Sequence, residues 1–255
     1  MTRRPRAISF RRVVIGFRDT FGSASSLAAA AGFARLLETE LVGIFIEDEE
    51  LMEWAASSFA RRVPATATEP ARTPPAHEES ATAAGMMRQR LSRAATSCGL
   101  IARFQTERAS AASLDLRGVG PDDLLVVVEP ADPLARQSYP FTATLEAMIR
   151  HPAPVLYVPC HVRPRPDPCV AVAGHVDETV RQLAEAIADK LGAQVVELHD
   201  TPNVAKAAGE RLIVFDRDTL PEDDLSSFAT IAAEHGAPAL IVGTGRRQPD
   251  TKQAS

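Results

Sequence analysis

His151-Pro152-Ala153-Pro154-Val155-Leu156-Tyr157-Val158 is echoed near the C-terminus by His235-Gly236-Ala237-Pro238-Ala239-Leu240-Ile241-Val242. Both read His-x-Ala-Pro-x-Leu-x-Val. In each copy the proline ends a helix, because the residue before a proline is pushed out of the α region. The apolar residues beyond it suit a strand covered on both faces, as in a parallel sheet. A motif that closes two similar runs of elements predicts a chain built by duplication.

Working upstream, Arg12-Val13-Val14-Ile15-Gly16-Phe17 reads as a buried strand. Asp19 and Ser23 offer polar caps for a helix over 24–37, whose apolar positions recur at helical spacing. Leu41 to Ile46 is the next strand and completes a β-α-β unit. Residues 47–62 run from acidic to basic, which suits a helix dipole, and carry the only Trp, Trp54. The run Glu47, Asp48, Glu49, Glu50 reads as a solvated cluster at that helix start. Residues 63–76, rich in Pro, Ala and Thr, read as a loop. A helix follows over 78–97, with Met86, Met87 and Leu91 as a core-facing stripe. Then come an edge strand over 101–107 and a short helix over 109–116. Leu124 to Val128 is the clearest central strand; Pro130 and Pro133 enforce an irregular loop; a helix over 141–150 leads into the closing strand at Val155.

The proline-rich segment after Val158 (Pro159 to Pro168) is a stiff linker, and the pattern then restarts. Cys169 to Ala173 is a strand. Residues 178–191 form an amphipathic helix stopped by Gly192. Gln194 to Leu198 and Leu212 to Phe215 are strands, 222–234 is a helix, and Ala239 to Val242 closes. The second half lacks a counterpart of roughly residues 48–116. The division expected is a first domain at 1–160, a linker at 161–168 and a shortened second domain at 169–255.

Composition bounds the function. The chain has 255 residues, 45% hydrophobic, 24% charged and only 5% aromatic, so it buries an aliphatic core. A net charge of −5 gives no reason to expect nucleic acid. The basic exceptions are Arg3, Arg4, Arg6, Arg11 and Arg12; the last two read as solvated charges flanking the first strand. No apolar run approaches the roughly 18 residues of a membrane helix, and the start lacks the apolar core of a signal peptide. The expected location is cytoplasmic, with no membrane partner. Three cysteines, Cys98, Cys160 and Cys169, are too scattered for a disulfide framework.

The strand-helix-strand opening and the repeated closing motif together resemble the universal stress proteins. In that family the last helix and strand of a unit read Leu-Arg-His-Ala-x-x-Pro-Val-Leu-Val-Val; here Ile149-Arg150-His151-Pro152-Ala153-Pro154-Val155-Leu156-Tyr157-Val158 is similar, one residue shorter. Arg18-Asp19-Thr20 stands where the family has an Asp-Gly-Ser-like turn, before an Ala-rich helix and Glu40-Leu41-Val42-Gly43-Ile44-Phe45. The resemblance implies an α/β fold of two flavodoxin-like, adenine-nucleotide-hydrolase-like parallel sheets. Each would have order 3-2-1-4-5, with one strand missing from the second.

The resemblance also implies a ligand. Some members hold ATP through Gly-x-x-Gly-x9-Gly-Ser/Thr after the fourth strand, where glycine amides approach the phosphates. Here Val128 is followed by Glu129-Pro130-Ala131-Asp132-Pro133, and Thr142 and Ala143 fall where Gly-Ser would. In the second half, Phe215 leads into Asp216-Arg217-Asp218-Thr219, again without glycine. Gly243-Thr244-Gly245-Arg246-Arg247 looks like a phosphate loop but follows the last strand. The residues that would serve a nucleotide are Asp19, at the adenine- or ribose-contacting position, the backbone near Val42, and Val128 and Thr142. Asp19 also suits helix capping, and so does Asp177, its second-half analogue.

Other candidates are weaker. Cys160, His161, Cys169 and His175 are metal-capable, but their spacing matches no paired-ligand pattern, so no metal is expected. His151 and His235 read as helix-terminal residues interacting with the last carbonyls. No nucleophile, base and acid converge, so no catalytic residue is assigned. The expected function is a regulatory or scaffolding protein of the stress response that binds no cofactor tightly and associates, with itself or another protein, through edge strands. The alternatives are a sensor of ATP or AMP in the first-half cleft and, third, an adenylate-using hydrolase or transferase.

Overall fold

Runs of β-branched and aliphatic residues form the central strands, and the nine strands among the described residues join one sheet. The computed structural model describes residues 10–17, 23–49, 52–53, 76–109, 118–137, 139–163, 169–198, 210–220 and 227–243. The strands are β1 (Arg12–Phe17), β2 (Glu40–Asp48), β3 (Ala102–Ala109), β4 (Leu124–Val128), β5 (Val155–Val158), β6 (Cys169–Ala173), β7 (Gln194–Leu198), β8 (Glu210–Asp216) and β9 (Ala239–Val242). The described helices are α1 (Ala24–Leu36), α2 (Ala76–Ser97), α3 (Pro133–Gln137), α4 (Tyr139–Arg150), α5 (Glu178–Leu191) and α6 (Ser227–His235).

The sheet order is β3-β2-β1-β4-β5-β9-β8-β6-β7. Its first five strands are parallel in the order 3-2-1-4-5. The last four are parallel among themselves and repeat that order, with no counterpart of the third strand among the described residues. The two sets do not form separate sheets. β5 and β9, the two strands of the repeated motif, pair antiparallel, with Val155 opposite Ile241, Leu156 opposite Leu240 and Tyr157 opposite Ala239. The strand that would be each unit's free edge is thereby covered by its counterpart.

Helices cover both faces. α1, α2 and α5 pack on one side, where Leu27, Met87, Leu91, Val180 and Leu183 meet alternate residues of β1, β2, β4, β6 and β8. α4 and α6 pack on the other. There the fully buried Phe228 lies edge-on to Tyr157 from the first set and to Phe215 from the second, at 5.6 and 6.3 Å between ring centres. Both cores draw residues from both sets, so the apolar burial that stabilises the chain is continuous across the junction.

Local sequence accounts for the helix ends. Asp177 caps α5 by accepting the Thr179 N–H, and Gly192 closes it with φ of +62°, a left-handed conformation glycine adopts without strain. Two segments differ from the sequence reading. β2 continues through Glu47 and Asp48, which pair with Arg108 and Ala109 of β3, so the acidic run begins in a strand rather than a helix. The Glu47–Arg108 ion pair at 3.2 Å reinforces that extension. The proline-flanked loop after β4 contains α3, with Pro133 at the first helical position and the Asp132 carboxylate accepting the Leu134 N–H. The described part of the last helix runs from Ser227 to His235, and residues 222–226 of the expected helix lie outside the described residues. Trp54 with most of the expected helix over 47–62, the loop over 63–75, the short helix over 110–116 and the glycine-arginine stretch over 244–247 lie outside the described residues.

Candidate functional site

In an open parallel sheet, ligands bind beyond the C-terminal ends of the strands, where the strand order reverses. This sheet has two such points, between β1 and β4 and between β6 and β8.

At the first, α1 opens with three serines. Ser23 caps the helix, accepting the Ser26 N–H at 3.1 Å. The Ser23 and Ser25 hydroxyls donate to the Cys160 carbonyl at 3.1 and 3.4 Å, and the buried Ser26 hydroxyl donates to the Pro159 carbonyl at 3.0 Å. The start of α1 is thus fastened to the chain leaving β5. Across from it, Glu129 follows β4 and is 4% exposed. One carboxylate oxygen accepts the Cys160 N–H at 2.8 Å; the other meets the Arg136 guanidinium at 3.2 Å. A backbone N–H and an arginine are the partners a bound phosphate would take. Glu129 occupies that role from within the chain. Burial, followed by the charge of Glu129, pushes the Tyr157 phenol well above its ordinary value. Burial and hydrogen bonding to Glu129 push the Cys160 thiol up as well, so Cys160 is held as a thiol and not as a nucleophilic thiolate.

The second point repeats the device. Asp216, 2% exposed, ends β8 and accepts the N–H groups of Asp177 and Asp218, both at 2.9 Å. The Asp177 amide sits at the start of α5, and it is turned toward an internal carboxylate.

The opposite ends of the central strands also carry buried acids. Asp123, fully buried before β4, takes two hydrogen bonds from Arg11 at 2.9 and 2.8 Å, one from Arg12 at 3.1 Å and one from the Gly120 N–H at 2.9 Å. Burial alone would raise its pKa, but Arg11, Arg12 and Gly120 together hold it at about 2. At the start of β8, Glu210 is 1% exposed, and His235 Nδ1 lies 3.3 Å from it. Cys169, opposite Glu210 in register, has its thiol pushed up by burial and by that carboxylate.

Three of the four residues proposed for a nucleotide lie among the described residues. Asp19 lies outside the described residues. Val42 is 3% exposed in the middle of β2, its neighbour in β1 being Val14. Val128 ends β4 beside Glu129 and so borders the first crevice. Thr142 is exposed on α4. The described residues contain no group of three or more His, Cys, Asp or Glu side chains able to hold a metal. His151 and His235, equivalent in the motif, differ in space. His151 Nδ1 accepts the Ala153 N–H at 3.1 Å, whereas His235 faces Glu210.

Sequence reading missed the Asp123 clamp and the inward turn of Glu129. The first had a signal: Arg11-Arg12 and Asp122-Asp123 each immediately precede a strand, and those strands are parallel neighbours with Val13 opposite Leu124. Adjacent parallel strands bring their leading residues together, so the charges had to meet. The second had none, since nothing local to Glu129 says that Cys160 would turn its amide back.

No family model matches the chain, and no curated protein matches it in sequence. Solved structures do. A universal stress protein from Archaeoglobus fulgidus superposes with a TM-score of 0.58 at 9% identity, over 91% of this chain and 98% of that one. The fold is that of a universal stress protein. Two Pseudomonas aeruginosa structures are also similar, each with a TM-score of 0.50 at 11% identity. One is a putative universal stress protein, covering 92% of this chain and 93% of its own; the other is a protein of unknown function, covering 92% of each. All three matches span both sets of strands. At these identities the likeness to universal stress proteins is one of fold.

Proposed function

We propose that this chain is a universal-stress-protein-like regulatory or scaffolding protein that binds no adenine nucleotide tightly and catalyses no reaction. The observation that carries this reading is Glu129. A phosphate entering the first crevice would have to displace the carboxylate from the Cys160 amide and then lie beside it. Two unit charges about 4 Å apart repel by roughly 4 kcal/mol at an effective dielectric of about 20. Asp216 supports the same reading for the second crevice.

In this reading the two units, 1–160 and 169–255 joined by 161–168, act as a fused pair. Because β5 and β9 pair with each other, association through sheet edges falls to β3 and β7, which end the sheet. β3 carries Arg103, Glu107 and Arg108, charges that discourage unselective edge pairing; β7 has an exposed Val196 and is the better surface for a partner strand. No helix among the described residues is long and apolar enough to cross a membrane, and a cytoplasmic place is part of the proposal.

One observation favours the second reading, a sensor of ATP or AMP in the first crevice. The first turn of α1 holds serines and no acidic residue, so its dipole is not opposed there. Calorimetric titration of ATP, AMP and cyclic nucleotides into the full chain separates the two. The regulatory reading expects no affinity tighter than about 10 μM, or roughly −7 kcal/mol. Tighter binding would establish the sensor, and turnover of ATP would overturn the non-catalytic assignment.

A further inference from the structure

We infer that His151 is an acid-sensitive latch on the junction between the two sets of strands. Arg217, in the turn after β8, reaches across the junction and donates to the His151 carbonyl at 2.7 Å and to the Ala153 carbonyl at 2.6 Å. These two residues bound the turn that leads into β5, the strand paired with β9. The same turn is closed from inside by the His151 imidazole, whose Nδ1 accepts the Ala153 N–H at 3.1 Å. Only a neutral imidazole keeps a lone pair there. Protonation therefore removes the bond that shapes the turn and places a second positive charge against Arg217.

The charged groups around His151 define the direction of the switch. Arg217 comes from the segment after β8 and opposes protonation; Asp123 comes from the turn before β4 and favours it. Asp123 is already engaged by Arg11, Arg12 and the Gly120 amide, which dilutes its pull. On α4 itself, Arg150 and Glu146 are exposed and pair with each other at 3.5 Å. Burial first, and Arg217 second, depress the His151 pKa below its ordinary 6.5. The latch is thus closed at neutral pH and opens on acidification. Its counterpart on the other copy of the motif is placed differently, with His235 Nδ1 3.3 Å from the buried Glu210.

Amide hydrogen exchange of the full chain, corrected for the intrinsic rate at each pH, tests this. From about pH 7.5 to about pH 4.5 the exchange of the β5 and β9 amides should rise by roughly tenfold, with the His151 ring signal titrating below its ordinary 6.5. In His151→Asn, which can still accept from the Ala153 amide but cannot ionise, the rise should vanish. Arg217→Ala should exchange fast at both pH values, because the clamp is gone. An unchanged rise in His151→Asn, or a flat profile in the wild-type chain, would overturn the latch. If the asparagine variant does not fold, the wild-type profile and Arg217→Ala still decide.

Discussion

β2 and β7 occupy the same place in the two sets, and they differ at one residue in an instructive way. Ile15 of β1 pairs with Gly43 of β2, and Val172 of β6 pairs with Glu197 of β7; Ile15 and Val172 face the same core. A Cβ on Gly43 would overlap Leu91 Cδ2 and lie 3.0 Å from the Phe104 ring, so α2 settles on β2 over a residue without a side chain. Between β7 and β8 there are only residues 199–209, against residues 49–123 between β2 and β4. Glu197 accordingly points to solvent and pairs with Arg181 of α5. One step along, Val42 is 3% exposed while its counterpart Val196 is 37% exposed. The lesson is that a strand covered by a helix takes a glycine where the less covered strand takes a charge, and that the latter leaves an apolar residue in water.

The strongest way to break that comparison is to write the second set's residue into the first. Gly43→Glu forces a carboxylate against Leu91 and Phe104, and urea unfolding should show a loss of at least about 4 kcal/mol from overpacking and buried charge together. Gly43→Ala should lose about 1–3 kcal/mol. The reverse exchange, Glu197→Gly, should move stability by less than about 1 kcal/mol, since an exposed ion pair contributes little and glycine weakens a strand only modestly.

The buried acids extend the comparison to the strands' leading ends. Asp123 has two arginines and an amide, while Glu210 has His235. Replacing both Arg11 and Arg12 by Ala leaves Asp123 buried without a counter-charge and should cost about 3 kcal/mol or more. Acid titration reads the same clamp. The folded carboxyl, at about 2, binds its proton less readily than the unfolded one, near 3.8, so the clamp's contribution is complete above 3.8 and is lost as pH falls toward 2. The difference corresponds to about 2 kcal/mol. His151 adds an earlier step of the same sign, because its depressed pKa makes the unfolded chain bind the proton first as pH falls through 6.5. Equilibrium unfolding from pH 8 to pH 2 should therefore weaken in two stages; Asp123→Asn should lack the lower one and His151→Asn the upper.

Much of the fold was legible because it rests on periodicity and punctuation. The two His-x-Ala-Pro motifs located β5 and β9, and the restart after the prolines located β6. That these two strands would pair was not legible, since an antiparallel contact between Leu156 and Leu240 leaves no mark on either sequence separately. Glu47 was misread because an acidic residue suits a helix start and also a strand whose neighbour carries Arg108; only the pairing decides. The candidate site was half legible. The missing glycines after Val128 pointed to a poor phosphate loop, and Glu129 stood in their place in the sequence. Its inward position, taking the Cys160 amide, depends on how the chain leaves β5, which local sequence does not encode.

That position is the centre of the account, and ATP titration beside a Glu129→Ala variant tests it most directly. The wild-type chain should bind ATP no more tightly than about 10 μM. The variant, with the Cys160 amide and Arg136 released, should gain roughly tenfold or more in affinity, about 1.4 kcal/mol. Tight binding by the wild-type chain, undiminished or weakened when Glu129 is removed, would contradict it.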